Sequence, residues 1–150
     1  IDERIALYEK HAELACARDD NYTNYIEAYV ERCDYARAEQ LLHNRMFNSY
    51  EGGEGEILRV HAWTWALDGA QHLAAGDISG ALERLERALE IDPNYQEGEG
   101  HLPRELSFVR YWKGLALRAQ GCVCARWTTR RALKRCSIRR GPAATLPGAI

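Results

Sequence analysis

The sequence predicts an all-α chain of paired helices followed by a basic tail. Three observations carry that expectation. Apolar residues recur at helical rather than alternating spacing along the body of the chain. Glycine, aspartate and proline punctuate the body at matching places in successive segments. All 22 acidic residues precede residue 122, beyond which seven basic residues and no acid occur.

The clearest pair sets the pattern. Its first helix is expected to start near Gly55, with Leu58, Ala62, Trp65, Ala66, Gly69 and Leu73 at helical spacing. A glycine in mid-helix costs about 1 kcal/mol against alanine, so Gly69 implies close approach of a partner helix. Gly76 suits a tight turn, and Asp77 is placed to cap the next helix. That second helix carries Ile78, Ala81, Leu82, Leu85, Ala88 and Leu89 on one stripe. Pro93 closes it, having no N–H with which to continue a helix.

Two fainter copies flank this pair. From Asp19, the residues Tyr22, Tyr29, Asp34, Ala38 and Leu42 take the equivalent places, with Cys33 where the turn glycine stands. From Ser107, Gly114 and Gly121 occupy the glycine places. Starts at 19, 62 and 107 are 43 and 45 residues apart. The extra length lies in two Glu/Gly loops, 48–55 and 94–100, which are expected on the same edge of the stack.

Trp65, Gly69, Gly76, Asp77, Ala81, Leu85, Ala88 and Pro93, counted from Ala62, resemble the tetratricopeptide repeat, a helix pair of about 34 residues. Asp68 and His72 depart from its usual leucine and aromatic. The resemblance implies a right-handed helical-repeat solenoid, with units near 19–52, 62–95 and 107–121 onward and a body spanning 1–121. Lys10-His11, Glu13-Leu14, Arg18 to Tyr22, Phe47, Glu51 to Gly55 and Glu97 to Gly100 narrow it further. They resemble long bacterial tetratricopeptide proteins that carry a domain of unknown function similar to galactose-mutarotase-like β-sandwiches. That family supplies no catalytic residues to transfer. It implies a large parent, and the chain opening at Ile1 agrees with a fragment or processed piece.

Composition excludes some classes. With 150 residues and 46% apolar content, the chain can bury a core and is too apolar to be wholly disordered. No run approaches about 18 uncharged apolar residues, so no membrane-spanning helix is expected. No phosphate-binding loop, dinucleotide fingerprint or nucleophile elbow occurs. No enzyme activity and no cofactor are expected. His61, His72 and His101 lack close second ligands and read as packed or solvated. Asp19 and Asp20 are helix neighbours facing different directions. Cys16 and Cys33 read as buried thiols, and two odd cysteines in the body fit a reducing, cytoplasmic setting.

The expected role is a non-catalytic scaffold that binds a protein, a peptide or another domain of its parent. The rival is a helical accessory module of a carbohydrate-active enzyme. Binding residues are sought on the first helices, at Trp63, Ala66, Ala70 and Leu73 and at Glu27 and Glu31. Neither set supplies the Lys and Asn pattern that holds a terminal carboxylate, which disfavours chaperone-tail binding. A second candidate is the loop edge of Tyr50, Glu51, Glu54, Tyr95, Glu97 and Glu99, where carboxylates and aromatics suit a sugar, cation or partner chain. The plainer reading, and the favoured one, makes the glycines turns and places the acids at helix N-termini.

The segment 122–150 balances a body of 13 basic against 22 acidic residues with seven cations. It carries Cys122, Cys124 and Cys136 and a possible stacking residue, Trp127. Out-of-frame translation and plain disorder are its two leading readings. Nucleic-acid binding comes third.

Overall fold

The computed structural model describes residues 1–48, 53–96 and 106–121, and these contain seven helices. In chain order they are α1 (Asp2–Lys10), α2 (Ala12–Ala17), α3 (Asp19–Glu31), α4 (Tyr35–His43), α5 (Glu56–Ala74), α6 (Ile78–Arg87) and α7 (Leu106–Ala119). No strand occurs among the described residues; one isolated parallel bridge joins Phe47 to Tyr95. The all-α expectation holds for this part of the chain. The basic segment 122–150 and the loop residues 49–52 and 97–105 lie outside the described residues.

The same turn follows α3, α5 and α7. Cys33, Gly76 and Gly121 each adopt positive φ, at 62°, 82° and 84°. After α3 the Cys33 N–H donates to Val30 C=O and the Asp34 N–H to Tyr29 C=O. After α5 the Gly76 N–H donates to Leu73 C=O and the Asp77 N–H to His72 C=O. These bonds satisfy carbonyls that a helix end otherwise leaves open. Asp34 and Asp77 then cap the following helices, accepting from the Arg37 and Gly80 N–H groups.

α3 pairs with α4 and α5 with α6, while α5 also packs on α3 and α4, and α7 packs on α5 and α6. Gly69 sits where α5 meets α6: a Cβ there would stand 2.8 Å from Leu85 Cγ and 3.1 Å from the Ala81 carbonyl. α6 ends at Arg87, short of Pro93, and its chain tightens through Leu89 N–H to Glu86 C=O and Glu90 N–H to Arg87 C=O.

Buried apolar residues form two clusters. One gathers Tyr22, Ile26, Tyr29, Leu42, Phe47, Val60 and Tyr95 with their neighbours; the other gathers Ala62, Trp65, Ala66, Ala81, Leu85, Val109 and Ala116. α1 and α2, separated at His11, lie against α3, with Ile5 and Ala15 buried. Cys16 and Cys33 correct the sequence reading, because both thiols are exposed. Cys33 is exposed because it belongs to the turn rather than to the packed face of α3.

Candidate functional site

α3 and α5 run beside each other and enclose a small cleft of about 40 Å³ lined by Glu27, Val30, Glu31, Val60 and Trp63. Its floor is apolar, since Val30 and Val60 are buried. Helical spacing accounts for the lining, because Glu27, Val30 and Glu31 share one face of α3 and Val60 and Trp63 neighbour each other on α5. Arg59 organises the rim. Its guanidinium pairs with Glu27 and lies 4.7 Å from the centroid of the Trp63 ring. Glu31 pairs with Arg4 at 2.8 Å. The cleft therefore offers an indole, two carboxylates and an apolar base, with room for the tip of one side chain.

The six groove residues fare differently. Glu27, Glu31 and Trp63 come together at this cleft. Ala70 and Leu73 are half-buried, and Leu73 packs against the second apolar cluster. Ala66 is fully buried in that cluster, beside residues of α7. A methyl group so enclosed cannot touch a partner, and Ala66 is a core residue.

The loop edge changes more. Tyr95 is buried at 5% exposure, its ring edge-on to Phe47 at 5.7 Å between centroids. Its place is fixed by the bridge, in which the Phe47 N–H donates to Asn94 C=O and the Gln96 N–H to Phe47 C=O. Tyr95 thus holds the two loops to the core and presents no face to a ligand. Glu54 is exposed; Tyr50, Glu51, Glu97 and Glu99 lie outside the described residues.

Behind Tyr95 lies a polar cluster that single-residue reading missed. His61 is 2% exposed; its Nδ1 is 2.9 Å from the Tyr95 hydroxyl and its Nε2 is 3.1 Å from the Arg87 carbonyl. A carbonyl only accepts, so Nε2 carries the proton and Nδ1 accepts from the tyrosine. Burial lowers the His61 pKa to about 4, against the smaller opposing pull of the Arg87 carbonyl and Asp92. Burial likewise raises the Tyr95 phenol. Asp92, also buried, meets His43 Nε2 at 3.1 Å and Arg87 at 3.6 Å. These groups satisfy one another across α4, α5, α6 and the following loop.

A third cluster explains the two departures noted in the helix-pair pattern. Asp68 pairs with Arg84 at 3.1 Å, and His72 Nδ1 lies 2.8 Å from Asp77. The Gly80 N–H, with His72 as the second influence, holds the Asp77 carboxyl below its ordinary range. Asp19 and Asp20 indeed diverge, the first to Arg45 and the Asn48 N–H, the second to Arg18. Among the described residues no group of three His, Cys, Asp or Glu side chains is arranged to hold a metal ion, and no helix is long and apolar enough to cross a membrane.

No protein-family model and no solved structure matches the chain.

Proposed function

We propose that this chain is a tetratricopeptide-like helical-repeat module of a larger bacterial protein, and that it serves as a non-catalytic scaffold for a peptide or a neighbouring domain. The observation that carries the reading is the α3/α5 cleft, where Trp63, Glu27 and Glu31 surround an apolar base. Recurrence of one positive-φ turn after α3, α5 and α7 supports the repeat. In such a stack, first helices line a continuous surface suited to extended or helical segments.

The cleft admits one side-chain tip, so affinity would depend on contacts spread along both helices, with Trp63 as the anchor. Aromatic anchors of this type lose about 2 kcal/mol or more on truncation. Peptides selected from a random display library against the full chain test the reading. Binding should weaken about 30-fold in Trp63→Ala while the helical circular dichroism is unchanged. Equal binding by Trp63→Ala would remove the α3/α5 face as the site.

A further inference from the structure

Volume and charge together limit what the α3/α5 cleft can take. Its space is about 40 Å³. One water-sized sphere fills about 10–15 Å³ of such space, so about three non-hydrogen atoms fit. That is the size of an isopropyl group, and it is too small for an aromatic ring.

The rim is charged, but its two carboxylates are already engaged. Glu27 pairs with Arg59, and Glu31 pairs with Arg4 of α1 at 2.8 Å. Arg59 also lies 3.7 Å from Glu56 and 4.7 Å from the centroid of the Trp63 ring. A lysine or arginine entering the cleft must therefore displace a guanidinium, exchanging one ion pair for another. An acidic side chain would enter beside two carboxylates and be repelled.

The floor excludes polar groups for a different reason. Val30 and Val60 are buried, at 5% and 0% exposure, and their side chains supply only methyl groups. A polar tip pressed against them loses water and gains no hydrogen bond. An aliphatic tip loses nothing and buries its surface against two valines and an indole. The paired charges at the rim then help to exclude water from that contact.

Resting on the reading of this face as a peptide-binding surface, we propose that the cleft receives the isopropyl tip of one valine or leucine of the bound peptide, and that this residue sets the specificity of the face. Short peptides are selected from a fully randomised display library against the full chain and retested on Trp63→Ala. Among those that Trp63→Ala weakens, one position should be fixed as Val or Leu. In synthetic copies, replacing that residue by its polar isostere, Thr for Val or Asn for Leu, should weaken binding about tenfold or more. Lys or Phe at the same position should do the same. Val60→Ala enlarges the base and should restore about tenfold of the affinity lost by the Phe peptide. Should Val60→Ala lose helical circular dichroism, Val30→Ala opens the base from the α3 side, and the isostere comparison needs neither variant.

Any other residue fixed at that position, or equal binding of the isosteric peptides, overturns the proposal and leaves the peptide-binding reading standing. Selected peptides that all bind Trp63→Ala as tightly as the parent chain remove both. Cross-linking that seats 122–150 in the cleft overturns the proposal. So does self-association in sedimentation that Trp63→Ala abolishes, which would give the cleft to a second copy of the chain.

Discussion

Gly69 and Leu85 are in contact so close that a methyl group on Gly69 would lie 2.8 Å from Leu85 Cγ. The Ala81 carbonyl at 3.1 Å and Arg84 Cβ at 3.3 Å close the remaining sides. The two helices of this pair approach through the bare backbone of α5, and the helix-propensity cost of that glycine is offset by the burial it allows.

Gly69→Ala therefore sets two effects against each other. Alanine gains about 1 kcal/mol of helix propensity, whereas overpacking costs about 1–3 kcal/mol. Because a backbone carbonyl is among the obstacles, the packing cost should prevail. Urea unfolding should show a lower midpoint, and a raised one would contradict the packing described for α5 and α6.

Cys33 and Gly76 give a matched test of backbone strain. A non-glycine residue in the left-handed region costs about 1–2 kcal/mol, part of which glycine returns through its freer unfolded state. Cys33→Gly should stabilise the chain by about 0.5–1 kcal/mol, read as a higher thermal midpoint. Gly76→Ala should do the reverse although nothing lies within 4 Å of the added methyl.

His61 should make stability fall on mild acidification. Its pKa drops to about 4 in the fold, below the ordinary value of 6.5. The unfolded chain thus binds the proton first as pH decreases. The stability held above pH 6.5 is lost progressively toward pH 4, to a total of about 3 kcal/mol. His61→Gln should flatten denaturation midpoints across that window. An unchanged slope would mean that the ring is not enclosed in the cluster of Tyr95 and Arg87.

Phe47 ties the loop after α4 to the loop after α6. Its side chain is 1% exposed and touches both Tyr22 and Tyr95. Phe47→Ala should cost about 3–5 kcal/mol. In native-state hydrogen exchange, the Gln96 amide, which donates to Phe47 C=O, should lose protection by more than the α7 amides do.

Local signals made much of the helical framework legible. The cap at Asp77, the turns at Cys33 and Gly76, and the close approach at Gly69 each follow from one residue's own conformational limits or from its neighbours within a turn. Tyr95 and His61 were not legible in the same way. Their pairing joins positions 34 residues apart through a loop whose path no short spacing encodes. Tyr95 beside a Glu/Gly run reads as an edge aromatic until the Phe47 bridge draws it inward. Ala66 was hidden for a related reason, since the cluster that encloses it draws on residues far along the chain, among them Ala81, Leu85 and Val109. The exposure of Cys33 could have been anticipated from its place in the turn.

α5 belongs to both apolar clusters, giving Ile57, Leu58 and Val60 to one and Ala62, Trp65 and Ala66 to the other. The chain accordingly has no natural cutting point between its two halves. A fragment that stops before α5 strips one cluster of a wall, and one that begins inside α5 leaves part of either cluster behind. A swap of the α3–α4 pair for that of another protein must carry the first turns of α5 with it. The smallest exchangeable piece of this molecule is thus larger than a helix pair, and its boundary runs through the middle of a helix.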